Sequence, residues 1–194
     1  MNGGPPKTKQ DVLEVLANLK TAGMEFWLDI EPERFASPFG DAWSPADTVR
    51  HQIKSTFPLT RALKAPRLVL RIKFGKARGS SIPYFELVER YRALLAAGGN
   101  AGSFAPSPQP NPADLRAWQR DLVLECQSAL ADLAAAVEPW TESNLDLYRL
   151  PHPLLGKLTV REILFFTIYH YEHHRAIIAR RLEAIASPAN AGCK

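Results

Sequence analysis

Apolar residues recur at three- and four-residue spacing along most of the chain, a period that predicts helices rather than strands. The first helix is expected from Lys9 to Asp29, with Val12, Leu13, Leu16, Leu19 and Phe26 on its stripe. The segment Asp29 to Trp43 holds Pro32, Pro38 and Gly40 and reads as a loop. Ser44-Pro45-Ala46-Asp47 then opens a second helix. Serine accepts a backbone N–H as N-cap, proline suits the first helical position, and aspartate complements the helix dipole. Asn111-Pro112-Ala113-Asp114 repeats that signal for a third helix, Pro112 to Val137. Thr159-Val160-Arg161-Glu162 is a capping box for a fourth, which runs to Ala186 around Val160, Ile163, Ile178 and Ile185. Between the second and third helices, Leu68 to Phe74 reads as a short basic amphipathic helix and Pro83 to Ala97 as another. The stretch Gly98 to Pro112 is a long crossing loop. No strand alternation stands out. The pattern is that of an all-α four-helix bundle with a helical insert and a long crossover between helices 2 and 3.

The length of 194 residues fits a single domain that buries its own core, with residues 1–8 and 187–194 expected as flexible tails. A charged fraction of 23% excludes wholesale disorder. The longest apolar run, Ile163 to Tyr171, is too short to cross a bilayer, and the N-terminus lacks a secretion signal. A cytoplasmic protein with no transmembrane segment is expected. Cys126 and Cys193 stand far apart, which excludes a disulfide scaffold and a cysteine zinc site; Cys126 reads as a small buried hydrophobe. Charge is uneven. Nine basic residues and no acidic ones lie between Thr48 and Phe85, leaving fifteen basic against twenty acidic elsewhere. Most of these charges read as a solvated helix face. Binding of nucleic acid or an anionic membrane through Arg61 to Arg78, with Leu70 and Phe74 entering the membrane surface, is the lesser reading. Stacking aromatics and a helix-turn-helix signature are both missing, so no specific nucleic acid is expected.

The histidines carry the candidate chemistry. His170, His173 and His174 fall within one stretch of the fourth helix. At about 100° per residue, His170 and His174 lie within roughly 40° of each other, and His173 within roughly 60° of His170 on the other side. The apolar stripe places His174 near its middle, His170 just off it and His173 toward the edge. His170 and His174 are therefore the inward pair, a spacing that can hold one divalent metal from a single helix. A third ligand must come from a facing helix, and His51, two turns into the second, is the natural supplier. Asp47, four residues earlier, either fixes the His51 tautomer or simply completes the helix start. Imidazoles suit zinc, nickel or iron. An open position on such a metal would lower the pKa of a thiol or of a water. Arg67, Arg71 and Arg78 are candidates to hold the carboxylates of a thiol. His152, before a proline, is expected to cap the fourth helix or to bond a backbone carbonyl, with a metal-ligand role the lesser option. If Phe165, Phe166 or Tyr169 fills the space beside His174, the bundle has no substrate pocket.

Trp43-Ser44-Pro45-Ala46-Asp47 with His51 resembles the second-helix motif of the DinB-like superfamily. His152-Pro153-Leu154-Leu155-Gly156-Lys157-Leu158-Thr159 followed by Tyr169-His170-Tyr171-Glu172-His173-His174 resembles its last-helix signature. The resemblance implies an up-down-down-up bundle, a divalent metal on His51, His170 and His174, and a homodimer. It also implies an enzyme of the thiol-dependent S-transferase kind with a small-molecule substrate and a low-molecular-weight thiol, or else a metal-activated water hydrolase or a non-catalytic stress-response bundle. The insert from Lys64 to Pro110 departs from the better-known transferases, so the substrate does not carry over.

Overall fold

The computed structural model describes residues 4–108 and 110–186. Four long helices form the core: α1 (Lys9–Asp29), α3 (Pro45–Lys64), α6 (Leu115–Val137) and α8 (Val160–Ala186). α6 and α8 each pack against both α1 and α3. The directions follow from the ends that meet. Lys9, at the start of α1, bonds the Glu138 carbonyl at the end of α6, while Arg161, at the start of α8, bonds the Lys7 carbonyl just before α1. Trp140, just past α6, donates to the Leu63 carbonyl at the end of α3. α1 and α8 thus run one way and α3 and α6 the other, which is up-down-down-up. Because α3 and α6 are parallel, the chain must return along the bundle between them, which is why the crossover is long.

The helix starts follow local chemistry. Ser44 and Asp47 form a reciprocal capping box on α3, and Thr159 and Glu162 form another on α8. Thr8 and Asp11 form a third on α1, so the expected tail 1–8 is tied down at Lys7 and Thr8. The start of α6 is shifted: Asp114, not Asn111, accepts the capping N–H, from Ala117.

Several elements were not in the pattern. The segment read as a loop after α1 contains α2 (Pro32–Ala36), whose Phe35 is buried against Trp118. The insert holds α4 (Arg67–Phe74) and α5 (Tyr84–Ala96), as expected, with a 3₁₀ turn at Gly102–Phe104 in the crossing loop. After α6 come α7 (Glu142–Leu147) and an antiparallel hairpin, β1 (Arg149–His152) and β2 (Gly156–Thr159), paired Arg149 to Thr159 through His152 to Gly156. Gly156 has φ 74°, which only glycine adopts without strain in closing that turn. α4 packs on β1 and α5 on α8, so insert and hairpin together roof one flank of the bundle. Ile185, placed on the core stripe by periodicity, is 53% exposed, because α8 outruns its partners. Residues 187–194, including Cys193, lie outside the described residues. Among those described, no helix is long and apolar enough to cross a membrane.

Candidate metal centre

α3 and α8 face each other in opposite directions, and two stacked layers of contact fix their spacing. In the lower layer the fully buried Tyr171 hydroxyl meets Thr56 Oγ1 at 2.9 Å, and Gln52 Nε2 donates to the Tyr171 carbonyl. Cys126 lies against the same hydroxyl, its thiol pushed up to about 12 by burial, as befits an inert core residue. Beside it on both helices, at the residues that directly precede Gln52 and Tyr171, the upper layer is histidine. His51 Nε2 stands 2.9 Å from His170 Nε2, and His174 Nε2 stands 3.0 Å from the same atom. One ring nitrogen from each of the three lies within 4.8 Å of the others. All three predicted site residues are brought together, with His51 and His170 buried and His174 half-buried. His173 stands aside, its Nδ1 3.2 Å from the Tyr169 hydroxyl.

The orienting partner of His51 is not Asp47. Asp47 is spent on the Ser44 backbone and hydroxyl and on Arg50. Instead His51 Nδ1 lies 2.8 Å from the Phe104 carbonyl in the crossing loop. A carbonyl only accepts, so Nδ1 carries the proton and Nε2 presents a bare lone pair to the other two rings. Burial lowers the pKa of all three histidines: His51 despite its Phe104 bond, His170 well below its ordinary value, and His174 to about 3 with His51 adding to the effect. All three are neutral at pH 7, the form that binds a cation.

The triad lines a cavity of about 380 Å³. Phe166 is part of its wall rather than a plug. Phe165 turns away onto Tyr84, and Tyr169 is held between Arg92 and His173. Trp43 lies against the His51 and His174 rings, with centroids at 4.9 and 6.3 Å, and Tyr91 of α5 packs edge-on to Phe166. Phe74, Leu95, Leu150 and Leu154 from insert and hairpin complete the roof.

Three expectations are corrected here. Arg67, Arg71 and Arg78 do not line the cavity; Arg67 donates to the Pro139 carbonyl and sits over Trp140. Leu70 is buried and Phe74 lines the cavity, so neither can enter a membrane; the outward apolar residues of α4 are Leu68, Val69 and Ile72. His152 neither caps α8 nor donates to a carbonyl, because its Nδ1 accepts the N–H groups of Leu154 and Leu155 within the hairpin turn. Sequence reasoning did not reach the Phe104 carbonyl, which is backbone and leaves no residue-type signal. Trp43 and Tyr91 went unassigned because an aromatic beside a site reads like one in a core.

The residues fit a metal on their own chemistry. Three neutral imidazoles converge with at least one bare lone pair, and a tetrahedral ion with bonds of about 2.0–2.1 Å holds its ligand nitrogens roughly 3.3 Å apart. That is a few tenths of an ångström beyond the two separations seen. Three protein ligands would leave at least one position for another group, as catalytic rather than structural sites do. Compared with known families, the chain matches the model of the DinB superfamily over residues 7–178. No curated protein and no solved structure matches it.

Proposed function

The chain belongs to the DinB superfamily, and on that premise we propose that it is a divalent-metal-dependent enzyme, of the thiol-dependent S-transferase kind, that binds its metal through His51, His170 and His174. The observation that carries this reading is the convergence of three neutral Nε2 atoms on the wall of a roofed cavity. A scaffold protein needs the convergence but not the cavity. Zinc, nickel or iron held there would lower the pKa of a thiol at its open position, giving a thiolate near neutral pH.

The protein's own groups do the rest. The Phe104 carbonyl holds the His51 ring in the tautomer that offers Nε2. The Thr56–Tyr171–Gln52 layer fixes the distance between α3 and α8 and with it the aperture of the triad. Trp43 and Phe166 cover the rings and exclude water, which strengthens every electrostatic contact inside. The apolar wall holds an electrophilic substrate beside the nucleophile, so that two reactants become one complex.

The reading is tested by loading metal-free protein with zinc, nickel or iron and assaying conjugation of cysteine or glutathione to chlorodinitrobenzene. Metal-dependent conjugation that disappears in His170→Ala supports it. One bound equivalent of metal without conjugation, hydrolysis or any other turnover contradicts the enzyme and leaves a metal-binding bundle.

A further inference from the structure

His152 stands on the cavity wall with its proton already placed. Its Nδ1 accepts the N–H groups of Leu154 and Leu155 at 3.2 and 3.0 Å. The Nδ1 lone pair is therefore in use, and the proton of the neutral ring sits on Nε2. Burial lowers its pKa to about 4, which keeps the ring neutral near pH 7. Phe166, at 4.2 Å, and Tyr91, at 6.4 Å, hold it edge-on. Nε2 is thus a donor and not a fourth metal ligand, and among the described residues it has no acceptor.

The rest of the wall is uncharged and largely apolar; its other polar side chains are Ser55, Tyr91, Asn100, Thr167 and His173, of which Asn100 Oδ1 accepts the Gly102 N–H and His173 Nδ1 faces the Tyr169 hydroxyl. No aspartate, glutamate, lysine or arginine lines it among the described residues. The hydroxyls of Ser55 and Thr167 are already committed, donating to the carbonyls of Gln52 and Ile163. A charged group entering the cavity away from the triad would lose its water and meet no counter-charge, which disfavours it. A neutral acceptor would instead satisfy a donor that the fold leaves open. The volume of about 380 Å³ lies toward the lower end for small-molecule pockets.

We propose that this cavity takes a neutral, largely apolar molecule that rests one hydrogen-bond-accepting oxygen on His152 Nε2–H, which makes His152 a residue that selects and orients the substrate. The proposal rests on reading the cavity as the substrate pocket of the site described above. It excludes a ligand whose carboxylate must lie in the cavity away from the histidines.

Acetophenone, ethylbenzene and benzoate share one ring and differ in a single group, so they test this directly. Each is titrated by protein-observed NMR into metal-stripped and zinc-loaded protein. Acetophenone is expected to bind about fivefold more tightly than ethylbenzene, and benzoate to bind metal-stripped protein more weakly than either. In His152→Asn the amide oxygen can still accept the turn N–H groups, so the fold is kept while the ring donor is lost. That variant should lose the ketone preference and bind acetophenone and ethylbenzene equally. Histidine isotope labelling of the wild type should show His152 protonated on Nε2, a readout independent of any variant. The proposal is overturned if benzoate binds metal-stripped protein as well as acetophenone, if the ketone preference survives in His152→Asn, or if His152 carries its proton on Nδ1. Zinc uptake in the same samples separates the two readings: a ketone preference without zinc binding sinks the metal centre and keeps this inference, and zinc binding without the preference does the reverse.

Discussion

Two buried polar clusters sit on α8, one at its first turn and one at its middle, and they are closed in opposite ways. At the first turn the guanidinium of Arg161 is surrounded by acceptors: both Asp146 carboxylate oxygens, Glu142 Oε2, and the carbonyls of Lys7 and Glu142. Burial raises the Asp146 carboxyl, but its bonds to Arg161 and Ser81 outweigh this and its pKa is lowered. Every donor there has an acceptor, and the cluster ties the N-terminal segment, α7 and the insert to α8. At the middle of the helix, His51, His170 and His174 turn basic nitrogens toward one another with no acid among them. The first cluster is accounted for by what it joins within the protein. The second offers converging imidazole nitrogens and no acid, which is the physical argument for a cation there.

That contrast can be broken at either end. The largest expected effect is on the triad: His170→Leu should abolish binding of zinc while leaving the metal-free protein within about 1 kcal/mol of wild type, since the contacts of a buried polar ring are exchanged for the packing of an apolar side chain of similar size. Metal analysis together with urea unfolding would show both. Arg161→Met should behave conversely. It strands two carboxylates beside a buried position and should cost about 3 kcal/mol by urea unfolding, less than a fully buried pair because Asp146 and Glu142 are partly solvated. Its metal content per folded molecule should be unchanged.

Acid should separate the clusters next. His152, His51, His170 and His174 all have folded pKa values pushed below the ordinary 6.5 by burial. Below that value the unfolded chain binds protons that the folded chain refuses, so the stability of metal-stripped protein is full above pH 6.5 and falls as pH drops toward 4. Thermal melts across that range should show the decline, and His152→Asn should make it shallower. The smallest effect separates Asp47 from the Phe104 carbonyl as the partner of His51. Asp47→Ala should lower stability by about 1 kcal/mol through loss of the helix cap and leave zinc affinity within about twofold of wild type. A loss of affinity near tenfold or more would return Asp47 to the role of orienting His51.

The same contrast explains what could be read from the sequence. Helix starts at Ser44 and Thr159 are written in side chains only three residues apart, so they were legible, as was the meeting of His51 with an i, i+4 histidine pair. The start at Asp114 was misplaced by three residues because Asn111-Pro112 offers an equally good local signal, and only packing decides between them. The hairpin of Arg149–Thr159 was missed because two four-residue strands, one containing Pro151, are too short to show alternation. The Phe104 carbonyl and the placement of the His152 proton depend on backbone groups brought close by the crossover and the turn. No residue type announces either one.

The central claim is that the three histidines are completed by a divalent cation. Elemental analysis of tag-free protein, as purified and after incubation with zinc, nickel or iron, tests it most directly when wild type and His174→Ala are run together. About one equivalent of metal per chain is expected in the wild type and none in the variant. Wild-type protein that takes up no metal under any of these conditions, or a variant that keeps a full equivalent, would contradict it.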